Sequence, residues 1–195
     1  MLRPFRASEE EKSKLLAAAR ETASSSPELL TLKSGLIRTP PKGFVRDFSR
    51  SEIGRGLPVF AAAREAFQRW EEFDLGWVGV VNSSVEVAVG ELVAVEAHTA
   101  GLWSINFSRV SEVEDSPTRF GFMYTTTALH VEEGQERFVI ELDPESGSVI
   151  YFIEAVSRPR HLLARLGYPF SRAMQHRFAR DSHARMRRGA SSYLH

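Results

Sequence analysis

The chain has 195 residues, 43% of them hydrophobic and 26% charged, with 25 basic side chains against 25 acidic ones. That is the composition of a soluble globular domain long enough to bury its own core, and the lack of cysteine excludes disulfides, thiolate nucleophiles, iron–sulfur clusters and cysteine-based zinc sites. The opening MLRPFRASEEEKSK has no apolar core of signal-peptide length, and no apolar run approaches the ~18 residues that span a bilayer, so the expectation is a cytoplasmic protein without an integral membrane segment.

Glu9 to Thr22 reads as a short amphipathic helix with Leu15, Leu16 and Ala19 on one side, ended by Ser24-Ser25-Ser26-Pro27. Residues 28–42 read as irregular, since Pro40 and Pro41 forbid regular structure. This divides the chain into an arm, 1–42, and a main domain, 43–195. Gly43 to Phe48 is a first strand. Gly54-Arg55-Gly56 precedes a helix but lacks the fuller phosphate-binding pattern, so it reads as a turn. From Val59 to Phe73, apolar residues at Val59, Ala63, Ala66, Phe67 and Trp70 step by three and four, which predicts an amphipathic helix with Pro58 in its first turn.

A long β region follows: Trp77 to Val81, an edge piece Val85 to Val89, then Glu91 to His98, Leu102 to Val113, Phe120 to Ala128, Gln135 to Leu142 and Ile150 to Val156. Turn signals roughly every ten residues predict consecutive hairpins, hence an antiparallel meander of about six to seven strands. Ser157-Arg158-Pro159 reads as the cap and first turn of a long helix, interrupted near Gly167 and Pro169, with an apolar stripe Leu166, Phe170, Met174 and Phe178. Between Arg158 and Arg188 stand nine arginines, no lysine and one acid, a net +8, and the remainder carries 16 basic and 24 acidic residues, a net −8. Such asymmetry fits either an intramolecular match or a surface for an anionic partner. The order predicts an α+β fold in which a curved antiparallel sheet wraps around the C-terminal helix, leaving a space between them suited to a small molecule.

Candidate ligand-binding residues are Trp103, Tyr124, Thr126, His130, Glu136 and Arg158. Glu136 shares strand parity with Phe138, Ile140 and Leu142, so if those face the core, so does its carboxylate, either paired with an arginine such as Arg158 or lining a pocket with altered proton affinity. His130, in the loop before that strand, titrates near neutrality and can act as acid, base or anchor, or simply brace its loop. Tyr124 and Thr126 share parity with Phe120 and Phe122, and Trp103 with Ile105 and Phe107, so these can line an amphipathic cavity or fill the core. His176 and His183 share a helix face but are too far apart to hold one ion. No metal site and no cofactor is implied.

Three stretches resemble a family of unknown function found in bacteria and plants, domain of unknown function nineteen-ninety. They are GFVRDFSRSEIGRG with Phe60, Trp70 and Trp77 behind it; FGF at 120–122 followed by His130, Gly134 and Glu136-Arg137-Phe138; and SRPRHLLARLGYPFSRAMQHRFARDS from Ser157 to Ser182. The chain departs from the family at Met123, Thr125 and Leu129, where glycines are usual, and at Gln135, where the first of two paired acids is usual. The resemblance implies a START-like helix-grip layout, whose members hold hydrophobic or amphipathic ligands between curved sheet and C-terminal helix. The favoured reading is therefore a binder of a small hydrophobic or amphipathic molecule. The alternatives are an enzyme of hydrolase or isomerase type using Glu136 and His130, and a module whose basic helix meets anionic lipid or, less favoured, nucleic acid.

Overall fold

The computed structural model describes residues 2–22, 39–130, 132–159 and 168–192. A two-residue strand β1 (Leu2–Arg3) leads into helix α1 (Glu9–Arg20). Ser8 and Glu11 start that helix with a reciprocal capping box: Ser8 Oγ accepts from the Glu11 N–H at 3.3 Å, and Glu11 Oε2 accepts from the Ser8 N–H at 2.9 Å. Strand β2 (Val45–Arg55) runs further than its sequence signal, through a bulge between Glu52 and Gly54. Gly54 is needed there because a Cβ would lie 2.8 Å from Val59 Cγ1.

Helix α2 (Leu57–Gln68) buries Val59, Ala63, Ala66 and Phe67, as the periodicity predicts. It stops earlier than expected. Trp70 takes a left-handed backbone (φ 58°), and a separate 3₁₀ turn, Glu71–Phe73, follows. The break lets the Trp70 ring bury itself and donate from Nε1 to the Val85 carbonyl at 2.8 Å. That carbonyl belongs to the 85–89 segment, which is not an edge strand but a run of turns and bends whose Val85 and Val87 pack on the core.

Strands β3 (Val78–Val80), β4 (Leu92–Thr99), β5 (Leu102–Asp115), β6 (Arg119–Thr126), β7 (Glu132–Leu142) and β8 (Ser148–Pro159) complete one antiparallel sheet in the order β2-β8-β7-β6-β5-β4-β3, with β1 paired to β5. The sheet curls around helix α3 (Tyr168–Ser192), the helix-grip arrangement. Met174 and Phe178 of α3 face inward, and Phe178 meets Phe73 at 5.3 Å between ring centroids. Leu166 and the side chain of Phe170 lie outside the described residues.

The Ser157-Arg158-Pro159 segment is strand rather than helix cap. Its residues pair with Gly134, Glu133 and Glu132 of β7. On the other side β2 begins at Val45, opposite Ser157, so Pro159 has a ladder neighbour on one side only and its missing N–H is tolerated.

Each face of the sheet is covered. Large side chains of the concave face, among them Phe122, Phe138, Ile140 and Tyr151, pack beneath α2. On the convex face, α1 covers Leu92, Ala94, Ile105 and Phe107. Further along that face Glu154 is fully buried and holds Arg137 (Nε 2.7 Å) and Arg46 (2.5 Å).

Candidate functional site, a cavity beneath the C-terminal helix

The concave face changes character along its strands. Under α2 it carries rings and branched chains. Beyond them comes a cross-strand row of Tyr124, Glu136, Ala155 and Asp47, in register across β6, β7, β8 and β2. Past that row the inward residues are small: Thr126, Gly134 and Ser157. Gly134 cannot be larger, since a Cβ would sit 2.3 Å from the Val156 carbonyl oxygen. With little to fill it, the space between this half of the sheet and α3 remains open as a cavity of ≈ 660 Å³. Its apolar wall comes from Phe73, Trp77, Val78, Ile153, Met174 and Phe178.

Tyr124 and Glu136 stand opposite each other on this wall. The phenol donates to Glu136 Oε2 at 2.5 Å. Burial, then the hydrogen bond to Tyr124 acting in the opposite sense, then the charges of Glu132 and Asp47 set the Glu136 proton affinity, and the net effect pushes its pKa up to about 7. Burial and the neighbouring carboxylate push Tyr124 well above the usual phenol range, so it remains a donor. Thr126 Oγ1 accepts from the Gly134 N–H at 3.0 Å, and His130 Nδ1 accepts from the Glu132 N–H at 3.0 Å. Tyr124, Thr126, His130 and Glu136 thus all line one cavity.

Trp103 and Arg158 do not. Trp103 lies on the convex face, stacked on His98 at 4.4 Å beneath the Arg6 guanidinium at 5.1 Å. Ile105 and Phe107 share that face because α1 covers it, so the polar residues alternating with them, Ser104, Asn106 and Ser108, line the cavity. Strand parity alone cannot say which face is inner when both are covered. Arg158 pairs with Glu133 at 2.9 Å and covers the Phe44 ring at 4.6 Å, again on the convex side, and is not the partner of Glu136.

Other residues escape the sequence reading altogether. Glu72 is fully buried with neither oxygen hydrogen-bonded among the described residues, and burial raises its pKa well above the usual carboxylate range. The unexpected turn after Trp70 carries it inward, out of the helical pattern. Ser49, on the cavity wall, lies 3.0 Å from His183 Nε2. His183 is held at about 4 by burial and then by Arg187. The basic helix is turned toward acids of its own body: Arg172 pairs with Asp47, Arg185 with Glu71 (2.8 Å) and Asp74 (3.3 Å), and Arg177 covers Trp77 at 4.2 Å. Among the described residues no group of three or more His, Asp or Glu side chains converges on a possible metal position, and no helix is long and apolar enough to cross a membrane.

Comparison with known proteins places the chain. It is 35% identical to a UPF0548 protein of Dictyostelium discoideum over 157 residues, covering 75% of this chain and 73% of that one. It is 32% identical to a UPF0548 protein of Arabidopsis thaliana over 146 residues, covering 72% and 70%. Among solved structures, Ara h 8.0201 aligns with a TM-score of 0.46 at 12% identity, over 77% of this chain and 99% of that one. Residues 31–185 match the family described as Domain of unknown function (DUF1990), and to that family the chain belongs.

Proposed function

We propose that the protein binds a small, largely apolar molecule bearing a polar group, held between the sheet and α3. The observation that carries this reading is the cavity: its ≈ 660 Å³ falls within the range of small-molecule sites, roughly 300–1,000 Å³, and its mostly apolar wall with a few convergent polar groups is their usual lining. The body of the ligand meets Phe73, Val78, Met174 and Phe178, and its polar group meets Glu136, Tyr124, Thr126 or His130. The basic helix supports an interaction role less well, because Arg172, Arg185 and Arg177 are engaged with Asp47, Glu71 and Trp77 and are not free for phosphates.

Nile red, a neutral apolar dye, tests the reading with the full chain. Saturable binding at one dye per chain is expected, with affinity falling at least ~10-fold in Ala155→Phe, whose ring rises from the cavity floor between Asp47 and Glu136. A folded Ala155→Phe protein that binds the dye as tightly as the parent refutes it.

A further inference from the structure

Two polar pairs invite chemistry, Tyr124–Glu136 on the cavity wall and Ser49–His183 with Ser49 alone on it, and they differ in what they can do. Ser49 and His183 have the contact of a nucleophile and its base at 3.0 Å. However, His183 Nδ1 is buried without a hydrogen-bond partner among the described residues, and burial with Arg187 nearby leaves the imidazole too weak a base to take a hydroxyl proton at neutral pH. That pair fastens α3 to β2. The pair Tyr124–Glu136 is built differently. Tyr124 occupies Oε2 and fixes the carboxyl plane, and Phe73 and Phe138 flank the Tyr124 ring at 6.5 and 5.5 Å between centroids. Glu136 itself lines the cavity.

We propose that Glu136 is a general base acting on a carbon acid bound in this cavity, with Tyr124 as its positioning residue. The inference rests on the binding reading above and adds a reaction class to it: the ligand is an enolisable, mostly apolar carbonyl compound, and the reaction is a proton shift. The C–H bond next to the carbonyl breaks and an O–H bond forms on Glu136. The C–H electron pair becomes the C=C bond, and the carbonyl π pair moves onto oxygen. The same carboxyl returns the proton at another position, giving an isomer with no oxidant, reductant or co-reactant. A base works best when its proton affinity matches the ambient pH. Burial raises the Glu136 proton affinity toward that match, and the groups facing it adjust it: Tyr124 from β6 lowers it, Glu132 from β7 and Asp47 from β2, with its partner Arg172 from α3, raise it, while His130 and His176 stand elsewhere on the wall.

A nitrobenzisoxazole tests this in the intact protein. It is a flat, neutral carbon acid; removal of its ring proton forms a nitrile, breaks the N–O bond and releases a yellow cyano-nitrophenolate, so any positioned carboxylate base is reported directly. Conversion is expected to rise with pH to a plateau with a midpoint of about 7, and to drop ~100-fold in Glu136→Gln, which keeps the acceptor for Tyr124. Tyr124→Phe removes the bond that favours the ionised carboxylate, so its midpoint moves upward, a change that loss of packing alone does not produce. Probe binding is followed separately by quenching of tryptophan emission. If the probe binds but the parent and Glu136→Gln convert it equally, the base assignment falls while the binding reading stands. If no quenching occurs up to the probe's solubility limit, the base assignment falls, and the Nile red titration alone decides the binding reading.

Discussion

His183 links the acid stability of the fold to the position of α3. Its ring is edge-on to Tyr151 at 4.7 Å, with Nε2 3.0 Å from Ser49, and the neighbouring Ser182 Oγ lies 2.8 Å from the Tyr151 hydroxyl. Burial, with Arg187 adding repulsion, lowers its pKa from 6.5 to about 4. In the unfolded chain the ring takes its proton near 6.5, and in the folded chain only near 4. The stability it contributes is therefore complete above 6.5 and is lost as the pH falls from there toward 4. Each tenfold difference in proton affinity is about 1.4 kcal/mol, so the loss is about 3 kcal/mol. Glu136 and Glu72 act in the opposite sense, since their raised proton affinities favour the folded state in acid. Urea unfolding must therefore be compared with His183→Gln, which keeps a polar partner for Ser49 but does not titrate. The stability of the parent relative to this variant is expected to fall by about 3 kcal/mol between 6.5 and 4. Parallel curves across that window refute the assignment.

Two further substitutions probe buried charge. Glu72 keeps its proton in the folded state to higher pH than in the unfolded chain, so the parent loses stability as the pH rises above 4.5; Glu72→Gln is expected to decline less steeply, by up to ~1.4 kcal/mol per pH unit, in thermal or urea melts. Glu154→Gln leaves Arg137 and Arg46 without their buried counter-charge and is expected to lower stability by ~3 kcal/mol in urea unfolding, with the convex side loosened first in hydrogen exchange.

The hairpin order, the register of Glu136 with Phe138 and Ile140, and the inward Met174 and Phe178 are all legible because each rests on a local rule: turn spacing, strand alternation or helical repeat. The failures share a cause of another kind. Trp103, Ile105 and Phe107 are apolar in strand parity and face outward, because α1, far away in sequence, covers that side. Arg158 sits in a strand that a Ser-x-Pro start signal disguises as a helix cap. Glu72 is carried inward by a left-handed Trp70, which no periodicity encodes. In each case a long-range contact overrides a local preference.

The same contrast explains why there is a cavity at all. A curled sheet around a helix encloses more volume than its inner side chains must fill, and the sequence decides where the surplus goes. At one end Phe67, Phe122, Phe138 and Tyr151 interlock, with ring centroids 5.1 to 5.9 Å apart. At the other, Ala155, Ser157, Thr126 and the obligatory Gly134 withdraw from the space. Ordinary core packing would close such a gap with larger side chains, since unfilled apolar volume is destabilising by about 24 cal/mol per Å³. Small residues gathered on one half of one face, with Tyr124 and Glu136 at the boundary, instead leave room for a molecule beside a carboxyl that titrates near neutral pH. Ala155 on the cavity floor and Glu136 at its boundary are cross-strand neighbours in one row, so the binding reading and the proton-transfer reading can be tested on adjacent residues, Ala155 for the space and Glu136 for the chemistry.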